Sequence, residues 1–349
     1  MQRQGFSWRG SSPDSNTAVL RLPGEAPVQG LWAKRMSWVL LLAWLLPLNV
    51  AAETRCASQP LALQILGSGG PVADDNRASS GYLLWHDGRS RLLVDAGSGV
   101  FTRFGEAGAS FAALDLLALS HFHTDHAASL PALLKSGYFS KRRRALAIAG
   151  PGGAGPFPSL DQFLHRLLDR REGAFGYLAG YLTGSDGLVK LNPVTVGLAA
   201  SEPTMVYDAA GLRVEALPVP HGIVPALAYR VTVAERTLVF GSDQNGSNEA
   251  FLDLARGADL LVLHAAIPEG AGRAARSLHA VPSRLAEIVQ EAKPSTVVIS
   301  HWMARSLRHK DAIVASIAER YAGNLAVAQD LDCFPLPAQG QRDGDSAVP

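Results

Sequence analysis

Short apolar runs alternate with polar breaks along this chain. Runs of about four to eight apolar or β-branched residues are typical of strands. The pattern predicts strands at 61–66, 81–85, 91–94, 114–119, 145–149, 212–219, 227–233, 237–240, 259–264, 295–300 and 324–328.

Between these runs, apolar residues recur three and four positions apart, which indicates helices. The spacing predicts helices at 127–137, 159–168, 248–256, 282–292 and 310–321, and it gives no clear element between 174 and 205. Ser159 is a candidate N-cap for the second of these helices. Interleaved strands and helices predict an α/β fold, in which two mixed sheets face each other and helices cover the outside as an αβ/βα sandwich.

A dense group of polar residues follows the apolar run 114–119. Three histidines and one aspartate fall within six residues, in the sequence His121-Phe122-His123-Thr124-Asp125-His126. Histidine and carboxylate are the ligands that suit zinc and similar divalent metals. Residues two apart in extended chain point to the same side, so His121 and His123 can face one position. Four ligand types in so short a span predict a metal site.

Three further residues of ligand type stand where other predicted strands end. His221 follows the strand at 212–219, Asp243 follows the strand at 237–240, and His301 follows the strand at 295–300. Taken singly, each histidine is typical of a surface position and the aspartate of a turn. Side chains gathered at strand ends form the rim of an active site in layered α/β proteins. The joint order of all these ligands therefore predicts one shared site.

This order of ligands resembles the metallo-β-lactamase superfamily of metallohydrolases. The segments 66–71, 77–80 and 93–97 look most like the ribonuclease Z and arylsulfatase branch, and the resemblance covers about residues 60–335. It implies the four-layer αβ/βα metallo-β-lactamase sandwich, with the site at one edge between the two halves.

The resemblance also implies roles for the seven ligands, with two Zn²⁺ as cofactors and other divalent metals as alternatives. Asp243 would bridge the two ions, and Asp125 would orient the attacking water as well as bind metal. Two adjacent ions lower the pKa of water and clamp the attacking and leaving oxygens. One ion would be held by His121, His123 and His221, and the other by Asp125, His126 and His301.

Two departures from ribonuclease Z bear on the substrate. Where those proteins have His-Glu-Ala, this chain has His264-Ala265-Ala266, so the glutamate of a proton relay is missing. The later histidine of the relay matches His279, which is either a catalytic group that contacts the substrate or a structural residue. Only 22 residues separate His221 from Asp243, too few for a tRNA-clamping arm. These differences predict that the chain has no tRNA partner.

The leading prediction is an exported dinuclear zinc-dependent hydrolase that acts on a small-molecule anionic ester, with phosphodiester or arylsulfate favoured. The alternatives are a lactonase of the same fold and a non-catalytic metal-binding protein. β-Lactam hydrolysis is disfavoured, because those enzymes generally lack an aspartate matching Asp243. Redox diiron chemistry is disfavoured because Phe122 and Thr124 fill positions where that branch usually has a glutamate. The basic run 141–144 is either a phosphate contact or a solvated edge.

Composition supports a substantial hydrophobic core, and the N-terminal segment predicts export. The chain has 349 residues, 47% of them hydrophobic, and a net charge of +1, which gives no overall attraction to nucleic acid. Lys34-Arg35, the apolar stretch 37–49 and small residues up to Ala52 predict a signal peptide that is cleaved after Ala52. An uncleaved anchor is the alternative, and Met36 is a candidate true start. The predicted domains are an N-terminal extension with signal peptide at 1–52, the hydrolase at 53–336 and a disordered tail at 337–349.

Three points stay open in the sequence. Export predicts a periplasmic or secreted protein without stable membrane association once the signal is removed, and an oxidising compartment permits a disulfide. Cys56 and Cys333 are therefore either paired or two separate thiols. Asp95 either supports the histidine loop or is a turn residue, and the oligomeric state is not indicated.

Overall fold

Two seven-stranded sheets face each other within residues 56–337, the part of the chain that this computed structural model describes. In the first sheet the strands follow the spatial order β14-β1-β2-β3-β4-β5-β6, and in the second β13-β12-β11-β10-β9-β8-β7. The first sheet comprises β1 (Leu61–Gly67), β2 (Gly81–His86), β3 (Arg89–Val94), β4 (Leu116–Ala118), β5 (Leu146–Pro151), β6 (Leu191–Val196) and β14 (Cys333–Pro335). The second comprises β7 (Thr204–Ala209), β8 (Leu212–His221), β9 (Val224–Val233), β10 (Arg236–Phe240), β11 (Leu260–His264), β12 (Thr296–Ser300) and β13 (Asn324–Val327).

Both sheets are mixed. In the first, β3 to β6 are parallel neighbours, whereas β14, β1, β2 and β3 pair antiparallel. In the second, β10 to β13 are parallel and β7 to β10 antiparallel. Because parallel strands end at the same sheet edge, each half of the molecule presents several carboxyl ends together.

Helices cover the outer face of each sheet. Those after the first sheet's strands are α1 (Val100–Glu106), α2 (Thr124–Ala127), α3 (Leu130–Tyr138), α4 (Leu160–Leu168) and α5 (Gly180–Thr183). Those after the second sheet's strands are α6 (Glu249–Ala255), α7 (Arg273–Leu278), α8 (Pro282–Ala292), α9 (Ala304–Leu307) and α10 (Lys310–Ala318). This arrangement confirms the predicted four-layer αβ/βα sandwich.

Three layers of apolar packing hold the sandwich together. Side chains of both sheets meet in the centre, where Leu63 and Leu92 belong to one cluster with Val214 and Tyr229. A second cluster joins the first sheet to α1, α3 and α4, and a third joins the second sheet to α6, α8 and α10. Every residue of β1 is buried, because one of its faces meets the opposite sheet and the other meets helices.

Local sequence explains two details that shape the site. Ser159 caps α4: its hydroxyl accepts a hydrogen bond from the Gln162 amide, and Gln162 Oε1 accepts one from the Ser159 amide, as predicted. The β8–β9 hairpin turns through two residues, since His221 pairs with Val224. Gly222 takes the positive φ of 60° that this turn needs, and a side chain there would meet Leu278.

Cys56 and Cys333 form a disulfide, with their Cα atoms 5.5 Å apart. The bond is possible because β14 pairs with β1 at the sheet edge, with Cys333 opposite Gln64, while Cys56 lies in the short 3₁₀ turn before β1. The structure thus decides between the two alternatives left by the sequence.

Some sequence predictions concern residues that the structure does not describe, and some observed elements were not predicted. The predicted signal peptide and extension at 1–52 lie outside the described residues, as does the predicted tail from 338 onward. Within residues 56–337, no helix is long and apolar enough to cross a membrane. Eight of the helices and strands named above were not predicted: α1, α2, α5, α7, α9, β6, β7 and β14.

Candidate metal centre

The predicted ligands all lie at one edge of the sandwich, where strands of both sheets end. The loop after β4 carries the first four, and α2 begins within it at Thr124. His221 is the last residue of β8, Asp243 follows β10 and His301 follows β12. The structure therefore brings together all seven residues that the sequence selected.

Backbone conformation turns three residues of this edge away from their strands. Asp95, Ser242 and His301 have φ values of 60°, 58° and 57°, a left-handed region that non-glycine residues seldom occupy. Each stands one or two residues past the end of β3, β10 or β12. Such conformations persist where surrounding structure enforces them, and they cluster at functional sites.

The first ligand group consists of three imidazoles. His121 Nε2 lies 3.0 Å from His123 Nδ1, which lies 3.4 Å from His221 Nε2. His121 and His221 are buried, and His123 is partly exposed. The three nitrogens face one point, which is open to solvent on the side of His123.

The second group consists of two imidazoles and a carboxylate. His126 Nε2 lies 3.3 Å from His301 Nε2, and Asp125 Oδ2 lies 3.2 Å from His301 Nε2 and 3.6 Å from His126 Nε2. All three side chains are buried. Buried groups that converge in this way need a shared partner to avoid the cost of burial.

Asp243 stands between the two groups. One of its oxygens, Oδ2, lies 3.8 Å from His221 Nε2 and 3.5 Å from His126 Nε2, while Oδ1 lies 3.4 Å from His301 Nε2. Its carboxylate therefore reaches a ligand of the first group and both histidines of the second.

These spacings fit two divalent ions. Ligands at about 2.0–2.1 Å from a tetrahedral zinc lie about 3.3 Å from one another, close to the nitrogen and oxygen separations found here. The ligand atoms within each group lie within 4.8 Å of one another. Imidazole nitrogens and carboxylate oxygens are also the donor set for zinc and its neighbours. The cluster can therefore hold divalent metal.

A family comparison agrees with this geometry. The family model described as the beta-lactamase superfamily domain matches residues 90–302, a range that includes all seven ligands. The chain belongs to this superfamily. It is a hydrolase of the metallo-β-lactamase fold, as the sequence predicted.

A curated relative indicates the branch, and solved structures share the fold. A ribonuclease Z from Mycobacterium sp. (strain KMS) is 30% identical over 262 residues, which cover 70% of this chain and 84% of that protein. A ribonuclease Z from Haloferax volcanii is 27% identical over 315 residues, 81% and 96% of the two chains. The fold is shared with the metallo-beta-lactamase fold protein YhfI from Bacillus subtilis (TM-score 0.62, 20% identity, 79% and 99% covered) and with human tRNase Z, short form (0.60, 19%, 79% and 99%).

The relatives overturn one prediction. The sequence predicted a small-molecule substrate and no tRNA partner. The curated relatives that align with most of this chain, however, are named ribonuclease Z. The structure confirms that only a hairpin and one strand join His221 to Asp243. The inference drawn from that short segment was wrong, because an RNA substrate can be held by other surfaces than an arm at this position.

Other side chains orient the ligands from behind. Asp95 Oδ2 lies 2.7 Å from His126 Nδ1, and the Ser120 amide and hydroxyl donate to the same carboxylate at 2.7 and 2.9 Å. His221 Nδ1 lies 2.8 Å from the Leu278 carbonyl. Such contacts fix the ring so that Nε2 faces the metal position, and they raise ligand basicity. Of the two interpretations of Asp95, the structure supports the one in which it holds the histidine loop.

Burial and charge set the protonation of the ligands. Burial lowers the pKa of His121 well below its ordinary value, and it lowers that of His123 as well. Burial would also lower the pKa of His126, but the charges of Asp95, Asp125 and Asp243 raise it well above the ordinary value. The surrounding carboxylates therefore favour the protonated form of His126.

The carboxylates stay ionised for the converse reason. Burial would raise the pKa of Asp125, but the charge of His126 and a hydrogen bond from His301 lower it to about 2. Burial would likewise raise the pKa of Asp243, but the electrostatic influence of the neighbouring imidazoles of His301, His279 and His126 holds it well below its usual range. Both are therefore available as ligands at neutral pH.

Sequence reasoning missed the role of His264. Its Nδ1 lies 2.7 Å from Asp243 Oδ1, and its Nε2 lies 2.8 Å from the Tyr82 hydroxyl, which lies 3.0 Å from Ser300 Oγ. Burial lowers the pKa of His264 to about 4 and raises that of Tyr82. A neutral ring must therefore donate from Nδ1 to Asp243 and accept at Nε2 from Tyr82. The signal in the sequence was the apolar run of β11, which ends on this histidine.

His279 lies at the mouth of the cluster, directly after α7. Its Nδ1 is 3.7 Å from Asp243 Oδ1 and has no hydrogen-bond partner among the described residues. Burial lowers its pKa to about 3, so the ring is neutral at physiological pH. A neutral imidazole can donate one hydrogen bond to a substrate oxygen, but it has no acidic proton to give up as a general acid.

Proposed function

We propose that this chain is a two-metal phosphodiesterase that uses zinc. The proposal depends above all on Asp243, whose carboxylate lies between the three-histidine group and the group of Asp125, His126 and His301. A bridging carboxylate lets two ions share one site. When bound, the ions supply water with a lowered pKa and positive charge for a phosphoryl centre.

The protein groups around the ions orient the reactants. Asp125, which its low pKa keeps ionised, accepts a hydrogen bond from the attacking water and fixes its direction. His279 donates a hydrogen bond to the oxygen that leaves. Because His264 and Tyr82 hold Asp243 from the opposite side, the carboxylate keeps its position as charge develops.

A phosphodiester is the favoured bond because the curated relatives, which align with most of this chain, are named ribonuclease Z. RNA is therefore the first natural substrate to test, including a pre-tRNA with a 3′ trailer. A site in which these residues hold two divalent ions would suit any substrate whose transition state gains negative charge, so other esters serve as comparisons.

The test is turnover by zinc-loaded protein on bis-p-nitrophenyl phosphate and on RNA, with p-nitrophenyl sulfate and a lactone alongside. We expect hydrolysis of both phosphodiesters, loss on chelation and recovery with zinc. Asp243→Asn should lower kcat at least about 100-fold, since a bridging charge is lost. The matched control is Asp253→Asn, an exposed carboxylate on α6, which should match wild type. Turnover of the sulfate or lactone alone would refute the proposal.

His279 has its own test. His279→Ala should lower kcat by about 10- to 100-fold on substrates with poor leaving groups and less on nitrophenyl esters, since hydrogen bonding to the leaving oxygen matters most there. An equal loss on both kinds of substrate would assign His279 a structural role.

We also propose that the protein is exported. The support is the apolar stretch 37–49, which small residues up to Ala52 follow, and the Cys56–Cys333 disulfide, because disulfides persist in oxidising compartments. N-terminal sequencing of the mature protein after cell fractionation tests this. A mature chain that starts at Glu53 outside the cytosol is expected, and a cytosolic chain that retains 37–52 would contradict it.

A further inference from the structure

A cluster of exposed aromatic rings surrounds one lysine on the helical face of the first sheet. Tyr138 and Phe139, at the end of α3, and Tyr177 are 48%, 74% and 63% exposed. Lys135 Nζ lies 4.8, 5.0 and 5.3 Å from the centres of these three rings. We name these four residues the aromatic patch. Soluble proteins seldom expose grouped aromatic rings without a partner.

The rings are held in place from beneath. Tyr181, which is buried and lies four residues after Tyr177, donates a hydrogen bond to the Leu134 carbonyl at 2.7 Å. This bond holds the segment that carries Tyr177 against α3, next to Lys135. Gly137 lets α3 approach closely, because a side chain there would meet Phe111 and Tyr181. The patch is therefore a prearranged surface.

Positive charge is concentrated in the same part of the chain. Between residues 135 and 190, Lys and Arg outnumber Asp and Glu by nine to four, whereas in the whole chain the numbers are 32 and 31. Arg142 is buried against backbone carbonyls, Arg144 pairs with Asp115 and Arg170 pairs with Asp186. Apart from these groups, six cations and three carboxylates remain in the segment. Lys141 and Arg143, directly after α3, are exposed. Flat exposed rings interleaved with cations match a strand of bases and phosphates.

The patch lies within reach of the metal centre. Four chain steps and the nine-residue α3 separate His126 from Tyr138, so the distance is at most about 26 Å. A single strand of 12 nucleotides spans about 40 Å even at stacked spacing. One strand can therefore touch the patch and the metal site together.

We propose that the aromatic patch binds single-stranded RNA and presents it to the metal centre. This inference rests on the proposed phosphodiesterase function and adds a second substrate-binding surface to it. Bases stack on Tyr138, Phe139 and Tyr177, while Lys135 and Lys141 contact phosphates. It also explains how the chain can hold a nucleic acid with only a short segment between His221 and Asp243.

The experiment measures anisotropy of a labelled 12-nucleotide single-stranded RNA with zinc-loaded full-length protein, with RNA integrity checked on a gel afterwards. The triple variant Tyr138→Ala/Phe139→Ala/Tyr177→Ala should bind at least about 10-fold more weakly, because each stacked base contributes substantially. Lys135→Gln/Lys141→Gln should reduce the slope of log K against log salt by about 1.4. Matched controls are Phe101→Ala, an exposed ring on α1, and Lys310→Gln, an exposed lysine on α10.

Activity separates this proposal from the proposed function. Patch variants should keep wild-type turnover of bis-p-nitrophenyl phosphate and show a raised KM on RNA. Wild-type RNA affinity in the triple variant would overturn the patch whether or not the enzyme cleaves phosphodiesters. Binding of anionic lipid vesicles that is lost in the triple variant, with no RNA binding by wild type, would also overturn it and mark a membrane surface. RNA binding without any phosphodiesterase activity would contradict the proposed function and leave the aromatic patch as an RNA-binding surface.

Discussion

His264 Nδ1 lies 2.7 Å from Asp243 Oδ1, so a buried histidine outside the seven predicted ligands holds the carboxylate that stands between the two ligand groups. The contact arises because β10 and β11 are parallel neighbours, with Phe240 opposite Val262. His264, the last residue of β11, and Asp243, which follows β10, therefore lie at the same edge of the sheet.

This contact predicts a graded mutant series. His264→Leu should weaken zinc binding or activity by about 10- to 100-fold, as removal of a ligand's supporting partner typically does. His264→Asn should recover part of the loss, because its amide can donate from nearly the place of Nδ1. Zinc affinity from chelator competition is the readout. Tyr82→Phe, which removes only the partner of Nε2, should have the smaller effect, and equal losses in all three would contradict a positioning role.

Zinc binding should release a proton at pH 7. The raised pKa of His126 means that the metal-free protein carries a proton there, and that proton must leave when the nitrogen binds metal. Asp95 is the first of the charges that raise this pKa, so Asp95→Asn lowers it and should reduce the release. Calorimetric titration in buffers of different ionisation enthalpy counts the protons. Equal counts in both proteins would show that another group carries the proton.

Most of the site was predictable because its signals are local. Each ligand stands at the end of an apolar run, and His121, His123, Asp125 and His126 form one short motif. Parallel strand ends meet at one edge, which places the residues after β4, β10 and β12, whereas His221 ends the antiparallel strand β8 and its place at this edge followed from the family resemblance.

The missed features depend on tertiary contacts or on weak local signals. β6 includes Pro193 and exposes three of its six residues, which gives it neither alternation nor strong strand propensity. α1 begins at Val100, and its N-cap residue, Gly99, has no side chain to cap the helix. The role of His264 required the pairing of β10 with β11, which no local pattern reveals, and the missing arm misled because substrate binding can lie elsewhere on the surface.

The number of metal ions can be tested site by site. Wild-type protein should hold two zinc ions per chain, measured by elemental analysis after dialysis. His301→Ala should retain about one, Asp243→Ala should lose both, and His123→Ala should lose the other. His165→Ala, an exposed histidine on α4 away from the cluster, is the control. One ion in wild type would rule out the two-metal arrangement.

Loss of the disulfide should destabilise the fold without changing the metal site. Cys56 and Cys333 are 277 residues apart, and closing so long a loop restricts the unfolded chain strongly. Cys56→Ser/Cys333→Ser should therefore lower the free energy of unfolding by about 2–5 kcal/mol, measured by denaturant titration of the oxidised protein. Reduced wild type should match the double variant, because both lack the same bond. Zinc content should stay at the wild-type value, since the bond joins β14 to the turn before β1, away from the ligands. An unchanged unfolding midpoint would show that β14 pairing with β1 suffices to hold that sheet edge.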